Sequence, residues 1–336
     1  MYMLGVNTKI LAVKPIITAL LIFSSWLTVP TPCQAAGETA FPILRELTEP
    51  RVLGLGGATI SDTAWSGGAP VNPASVTGAR RSGAICYGRQ MLDIWSGQVS
   101  AAFPVRSFTV GGWISTFDYG SFDETASGLG KVGTFSAAEH IVGGFLAGKL
   151  GDALKWGGSM KLAWGTIKDA NASAGAVDLG MVWDTGWNRL RLGAAVRNWG
   201  KQWNSYGRDR FPLPSEALIG GSRELRYLPL TLNAVLALSR RSEGTWNADF
   251  LPGKLGVFVS GGGELRIATN AGNQLAALRI GYRSLREGLR VGNSDDMLAG
   301  LSFGVGIPFR SFRFDYAFAA MGTLGNLHRF GFMGWF

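Results

Sequence analysis

From about residue 80 to its end, the chain alternates apolar and polar residues with a period of two. The pattern is clearest in four segments: Arg189–Trp199, Leu228–Ser239, Ala277–Arg283 and Arg310–Ala320. In the last segment aromatic residues occupy one face, and Arg313, Asp315 and small residues occupy the other. A period of two predicts β-strands that have one apolar face.

Two all-β architectures produce such strands. In a soluble sandwich the apolar face packs on a second sheet, whereas in a transmembrane antiparallel barrel it contacts lipid. The strands are about 10–12 residues long, which matches the length needed to cross a bilayer at a tilt. Arginine recurs on the polar face, and several tryptophans near predicted strand ends suggest an interfacial belt: Trp95, Trp113, Trp156, Trp183, Trp187, Trp199 and Trp246. These features favour the barrel.

The last residues of the chain, LHRFGFMGWF, place Phe330, Phe332 and Phe336 on one face. A final strand that ends in an aromatic residue resembles the C-terminal signal by which the insertion machinery recognises outer-membrane barrels. We therefore predict that these three phenylalanines act as an insertion signal.

Fifteen candidate strands begin near residues 82, 94, 107, 133, 154, 172, 188, 216, 228, 244, 255, 274, 297, 310 and 327. Bacterial outer-membrane barrels have an even number of strands. We therefore predict 14 strands and interpret one short candidate as a loop or a plug element. The polar segments 118–132 and 200–216 are predicted to be extracellular loops, because such barrels have long outer loops and short periplasmic turns.

The N-terminal 80 residues are organised differently. A basic segment with Lys9 and Lys14 precedes an apolar run over 16–29 and a small-residue cleavage region. This predicts a signal peptide over 1–35, Sec-type export and cleavage near Ala35 or Ala36. Residues 36–80 lack strand periodicity and are rich in small residues, which favours a hatch or plug inside a barrel over 81–336. A periplasmic tail is the alternative.

Composition agrees with a membrane barrel. Charged residues make up 16% of the chain, apolar residues 46%, and glycine accounts for 49 residues. This composition excludes a disordered chain and a coiled coil. The net charge is +9, but the basic residues are scattered singly, so no nucleic-acid partner is predicted. After cleavage only Cys86 remains, which excludes an internal disulfide.

No constellation for catalysis or metal binding stands out. The chain has two histidines, His140 and His328, and no partners for either can be assembled. We predict a structural hydrogen bond from His328 to Asp315, and we interpret the acidic pairs at 123–124 and 295–296 as solvated turns. No enzyme activity, cofactor or metal is expected.

Three motifs resemble the PorV/PorQ family of outer-membrane proteins. The first has Arg51, Gly54, Gly56 and Gly57 followed by Asn72, Pro73 and Ala74. The second is the Gly-Gly-Glu and Ala-Leu-Arg-x-Gly-Tyr-Arg pattern within 261–283, and the third is Asp-Tyr-Ala with Leu-Gly-x-x-His-Arg within 315–329. The chain differs from the usual family pattern at 61–65, where relatives carry two adjacent aspartates.

The resemblance implies a FadL-like barrel of 14 strands with an N-terminal hatch that carries the first motif. It also implies an outer-membrane component of a type IX-like secretion pathway, which binds exported proteins with C-terminal signal domains or subunits of a translocon. Trp203, Tyr206 and Phe211, in the second long loop, would then be candidate anchors for partners.

The alternative is a channel for hydrophobic or small solutes. The polar faces of the strands predict several lumen-facing residues: Arg189, Arg191, Arg197, Arg279, Arg283, Arg313, Asp315 and Arg329. Such a lumen either favours anions or is filled by arginine–carboxylate pairs with Asp178, Glu264 and Asp315. Outer-membrane lipid is the expected partner in both cases.

Overall fold

The structure is a computed structural model that describes residues 39–90, 94–126, 130–240, 246–247, 255–269, 273–284, 298–322 and 325–336. The predicted signal peptide lies outside these residues, as does the acidic pair at 295–296.

Nearly all described residues from 82 onward form antiparallel strands. These are β1 (Ser82–Arg89), β2 (Trp95–Val105), β3 (Phe108–Ala126), β4 (Gly130–Leu150), β5 (Leu154–Ile167), β6 (Ala170–Asp184), β7 (Leu190–Asn204), β8 (Glu216–Glu224), β9 (Leu230–Arg240), β10 (Trp246–Asn247), β11 (Leu255–Ala268), β12 (Gln274–Arg283), β13 (Leu301–Phe309), β14 (Phe312–Ala320) and β15 (Asn326–Trp335).

The strands close into one barrel. Neighbours in the sheet follow chain order, and β15 pairs with β1. The two-residue β10 pairs only with β11, whereas β9 pairs with β11 directly. The ring therefore consists of β1–β9 and β11–β15, and the predicted antiparallel barrel of 14 strands is confirmed. The surplus candidate near residue 244 is β10.

The outer surface of the barrel is apolar. Side chains that alternate with buried ones are strongly exposed, among them Ile85 at 56%, Met160 at 70% and Leu179 at 62%. Exposed apolar faces around the whole ring are what contact with lipid requires. No helix within the described ranges has the length and the hydropathy to cross a membrane.

The predicted tryptophan belt is correct only in part. Trp95, Trp187 and Trp199 are exposed, Trp156 and Trp183 are half-buried, and the side chain of Trp246 lies outside the described residues. The prediction for Trp113 is wrong, because this side chain points inward, is 4% exposed and stacks on Phe145 with ring centroids 6.3 Å apart. The outward position belongs to Ile114, which is 54% exposed.

We call the end of the barrel that carries Phe336 the lower rim, and the opposite end the upper rim. At the upper rim, residues 119–126 of β3 and 130–135 of β4 form strand pairs only with each other; we call this extension the ribbon. The prediction of a loop over 118–132 is therefore wrong for most of these residues. Stacking of Phe122 on Phe135, at 5.4 Å, favours strand pairing here. Between β7 and β8 a loop does lie at 205–215.

Residues 39–80 lie inside the barrel, and we call them the plug. They contain three 3₁₀ helices, Pro42–Arg45, Ser66–Gly68 and Pro73–Val76, and the short helix α1, Pro50–Gly54. Helix α1 packs against β12–β15, and Pro73–Val76 packs against β4–β6. The plug therefore contacts opposite walls and fills the lumen, and most of its residues are buried.

Candidate functional site

The upper half of the interior holds an apolar cluster, which we call the upper chamber. Its wall is formed by Phe117, Ile141, Ala163, Ala172, Ala174 and Ala176, and Leu213 of the 205–215 loop covers it. The plug contributes Ala40, Phe41, Ile43 and Leu44 to the same cluster. Because four of the wall residues are alanines, the plug's large side chains supply much of the apolar filling.

Polar contacts hold this end of the plug in the chamber. Arg45 pairs with Glu216 of β8 at 2.9 Å (Nε–Oε1). Arg197 and Asn198 of β7 both donate hydrogen bonds to the backbone oxygen of Leu44, at 3.2 and 3.3 Å. The 205–215 loop adds a bond from the Ala40 amide to the Pro212 oxygen, 2.9 Å long.

A break in the alternation makes these contacts possible. Arg197 and Asn198 are adjacent in sequence, yet both are buried on the inner side. The register between β6 and β7 shifts at this point, and Asn198 has a φ of 57°. The Asn198 amide donates to Asp178 Oδ1 at 2.7 Å, and Lys161 donates to Asn198 Oδ1 at 2.6 Å. This bulge turns an additional polar side chain toward the plug.

A carboxylate with two tyrosine hydroxyls lies at the edge of the upper chamber. Tyr119 donates to Glu139 Oε2 at 2.9 Å, and Tyr206 of the 205–215 loop donates to Glu139 Oε1 at 3.4 Å. Both tyrosine side chains pack against the apolar cluster. This group was not predicted from the sequence, although the alternation in β4 places Glu139 on the inner face.

The lower half of the plug is fixed by a chain of ion pairs. Arg51 of α1 contacts Asp62 and also Glu264 of β11, the latter at 2.9 Å (Nε–Oε2). Glu264 accepts a bond from Arg279 Nε at 2.9 Å, and Arg279 Nη1 lies 2.6 Å from Asp315 Oδ1. Plug and wall are thereby connected through side chains of three different strands.

The chain of charges ends at the start of α1. Asp315 binds Arg313, whose Nη2 lies 3.9 Å from Glu49 Oε1. Glu49 also caps α1, because its side chain accepts a hydrogen bond from the Val52 amide at 3.1 Å. Burial, reinforced by the carboxylate of Asp315, raises the pKa of Glu49.

The residues of the first family motif lie in the plug. Besides Arg51, Gly56 and Gly57 adopt positive φ angles of 63° and 84° after α1, and Gly54 approaches Gly304 of β13. Asn72 is fully buried and donates to the backbone oxygens of Ile60, at 2.6 Å, and Met181, at 3.2 Å. Pro73 and Ala74 follow it in a 3₁₀ helix whose first turn Asn72 caps.

Seven of the eight residues predicted to face the lumen lie on the inner side: Arg191, Arg197, Arg279, Arg283, Arg313, Asp315 and Arg329. The prediction for Arg189 is wrong. This residue precedes β7, has a φ of 55°, and pairs at the lower rim with Glu224, with a side chain that is 59% exposed. Asp178 pairs with a lysine, Lys161, at 2.7 Å (Nζ–Oδ2) and not with arginine.

Two of the three proposed partner anchors face inward. Trp203 is 43% exposed, but Tyr206 and Phe211 are half-buried and pack on the upper chamber. Their apolar surface is used to cover the chamber and is not presented to a partner. By contrast, Phe330, Phe332 and Phe336 lie on the outer face with 41%, 47% and 79% exposure, and their recognition by insertion machinery stays a prediction.

The predicted bond from His328 to Asp315 is also wrong. His328 Nδ1 lies 2.9 Å from the hydroxyl of Tyr316, on the outer side of the wall. Asp315 has the opposite parity and points inward. Within the described part of the chain, no group of three or more potential ligands could hold a metal ion.

Comparison with known proteins identifies the architecture. The solved structures of similar shape include the Pseudomonas putida toluene transporter TodX, with a TM-score of 0.57 at 12% identity over 84% of this chain and 95% of TodX. They also include the monoaromatic hydrocarbon channel CymD, with a TM-score of 0.59 at 11% identity over 88% of this chain and 99% of CymD. A Pseudomonas aeruginosa FadL homologue has a TM-score of 0.57 at 12% identity, over 85% and 97%. The fold is FadL-like.

No family model matches the chain, and no curated protein has a significantly similar sequence. The likeness of the solved structures therefore establishes the FadL-like barrel alone. The resemblance to the PorV/PorQ family stays a prediction.

Proposed function

We propose that this protein is an outer-membrane channel of a Gram-negative bacterium that takes up a small hydrophobic solute. The observation that supports this most is the upper chamber, an apolar space whose wall is rich in alanine and whose filling comes from the plug. A solute that replaces Phe41, Ile43 and Leu44 would bury its apolar surface in the same way as these side chains do.

In this structure the plug closes the route that a solute would take through the barrel. Beside the chamber, a cavity of about 20 Å³ lies between plug and wall, lined by Ile43, Thr48, Ser115 and Lys161 among others. A space of this size holds about one water molecule. Uptake therefore requires the segment around Phe41–Leu44 to move. The contacts that must break are the hydrogen bonds to Leu44 and Ala40 and the ion pair between Arg45 and Glu216.

The solute class follows from the chamber together with the fold. TodX and CymD are named a toluene transporter and a monoaromatic hydrocarbon channel. An apolar ring of that size is comparable to the side chain of Phe41, which the chamber already accommodates. Toluene is therefore a suitable first probe.

Filling the chamber is expected to block uptake. Ala174 is 1% exposed on the inner wall, and Ala174→Phe would add a ring where the plug or the solute must fit. After the Phe41–Leu44 segment has moved, the added ring still occupies the space that the solute needs. Excluding the solute in this way is expected to cost about 1–3 kcal/mol, so radiolabelled toluene uptake by host cells is expected to fall about tenfold.

The matched control is Ala234→Phe, the same substitution on the lipid side of β9. It is expected to leave uptake unchanged. Heat-modifiable migration in gels establishes that both variants fold. Equal uptake by wild type, Ala174→Phe and cells without the protein would exclude toluene as a solute of this channel.

A secretion-linked role is the second candidate, and the ribbon favours it. Both of its backbone edges lack a strand partner among the described residues, and Phe122 and Val132 are 43% and 51% exposed. Such edges can accept an extended segment of another protein. The ribbon therefore offers a surface for exported proteins or translocon subunits.

Cross-linking in native outer membranes, followed by purification through a tag, tests this second role. Co-isolation of a larger barrel together with exported proteins that share a C-terminal domain would support it, and loss of these partners on replacement of Phe122 by Ser would assign them to the ribbon. Recovery of the barrel without protein partners would count against it.

A further inference from the structure

A second cavity, of about 200 Å³, lies between plug and wall at the lower rim. We call it the lower vestibule. Five arginines line it: Arg51, Arg191, Arg266, Arg279 and Arg313. They come from the plug and from β7, β11, β12 and β14, so guanidinium groups surround the space from several directions.

Two carboxylates also line the vestibule, Asp62 and Glu264, and both are already bound by arginine. Asp62 contacts Arg51, and Glu264 accepts bonds from Arg51 and Arg279, each at 2.9 Å, and from Arg266 at 3.1 Å. The lining has five arginines against these two carboxylates. Asp315, which binds Arg279 and Arg313, and Asp184, 4.0 Å from Arg191 Nε, lie behind it, so the excess of positive charge is smaller than three.

Several arginine N–H groups remain available within the described structure. Arg266 is hydrogen-bonded through Nε and has a 42% exposed side chain, which leaves its terminal nitrogens for a ligand. Arg191 donates to Thr63 Oγ1 through Nη1 at 3.0 Å and its Nε faces Asp184, which leaves Nη2 for a ligand. Arg313 Nη2 is buried and lies 3.9 Å from Glu49 Oε1, so it is directed at the plug. A guanidinium has five N–H donors, so Arg266 and Arg191 can offer donors together.

We infer that the lower vestibule binds a small tetrahedral oxyanion, either inorganic phosphate or the phosphate group of a small ester. Arginine binds phosphate oxygens through pairs of parallel N–H donors. The volume of about 200 Å³ is several times the roughly 30 Å³ that one water occupies, so a small hydrated anion fits. This site lies at the opposite end of the plug from the apolar chamber and does not depend on the proposed uptake of a hydrophobic solute.

Calorimetric titration of the full chain in detergent tests the inference, with phosphate and glycerol 3-phosphate as separate probes at constant ionic strength. Saturable binding of phosphate identifies the free ion as sufficient, and binding of the ester alone identifies a phosphate group on a larger molecule. No saturable binding of either probe at millimolar concentration would overturn the inference.

Two variants localise the binding. Arg266→Gln and Arg191→Gln each remove one charged donor and are expected to weaken phosphate binding about tenfold. Arg226→Gln is the matched control, because Arg226 is an exposed arginine in the β8–β9 turn at the same rim and does not line the cavity. Equal affinities of wild type and both vestibule variants would place the anion elsewhere and refute the proposal.

Discussion

Replacement of Arg279 by methionine is expected to lower the free energy of unfolding of the barrel by about 3–5 kcal/mol. The Arg279 side chain is 1% exposed and contacts both Glu264 and Asp315, at 2.9 and 2.6 Å. Without it, two buried carboxylates lose their shared partner and are left with a larger uncompensated negative charge. Urea unfolding in lipid vesicles, followed by tryptophan fluorescence, measures the change.

The control is an arginine–carboxylate pair of similar length at the surface. Arg189 and Glu224 lie 3.1 Å apart, but their side chains are 59% and 39% exposed, so Arg189→Met is expected to cost at most about 1 kcal/mol. Asp315 keeps only Arg313 as a partner in Arg279→Met. Adding Asp315→Asn removes this under-compensated charge and is expected to recover part of the stability. A loss from Arg279→Met no larger than that from Arg189→Met would show that the network contributes little.

A methyl group at Gly281 is expected to displace the plug from the wall. A Cβ built there would lie 2.3 Å from the backbone nitrogen of Gly56 and the carbonyl carbon of Leu55. Gly262, its cross-strand partner, faces the same segment, and a Cβ there would lie 2.7 Å from the Leu55 oxygen. These glycines allow the plug backbone to approach the wall more closely than side chains would permit.

Backbone atoms cannot move aside as a flexible side chain can. Gly281→Ala is therefore expected to weaken docking of the plug by about 1–3 kcal/mol, which is about a 5- to 150-fold change in the docking equilibrium constant. Increased conductance in planar bilayers and faster tryptic cleavage within the plug, for which Arg45 is a candidate site, would report the displacement.

Gly261→Ala is the matched control for this prediction. Gly261 lies next to Gly262 on the other side of β11, and its nearest contact for a Cβ would be an ordinary 3.7 Å. It is expected to leave conductance and cleavage at wild-type levels. If Gly281→Ala behaves in the same way, the plug must be held mainly by its ion pairs and not by close backbone contact.

Both predictions concern the same question, namely what keeps the plug in place. Arg51 joins the plug to Glu264 of the wall, and Gly281 allows α1 and the following turn to reach that wall. At the upper end one ion pair, Arg45 with Glu216, and hydrogen bonds to the backbone atoms of Leu44 and Ala40 hold the plug, whereas the lower end has a chain of several ion pairs. The difference favours movement at the upper end while the lower end remains docked.

The inner and outer faces of the wall were predictable from the chain because strand residues alternate strictly. Arg313 and Asp315 point inward as expected, and Phe314 between them is 44% exposed. The same rule failed where a strand ended or bulged. Arg189 lies just before β7, and the bulge at Asn198 places two successive residues on the inner side. The alternation of apolar and polar residues predicts neither where β7 begins nor where it bulges.

The pairing of charged residues was harder to predict from the sequence. The alternation placed Glu264 and Arg279 inside, but Arg51 meets Glu264 across 213 positions of sequence. Tyr206 of the loop that covers the upper chamber likewise bonds to Glu139, which is distant in sequence. From the sequence alone, a tyrosine in a loop is as consistent with an anchor for a partner as with such an internal contact.

The order of residues was therefore sufficient to predict the class of protein, namely an antiparallel barrel of 14 strands with an apolar exterior and a preceding plug of small residues. Alternation and local turn chemistry act between near neighbours, so they can be recognised in a linear pattern. Which arginine meets which carboxylate, which aromatic residues turn inward and where the two interior spaces lie were settled by the packing of plug against wall. Those contacts join distant segments whose relative placement exists only once the barrel has closed.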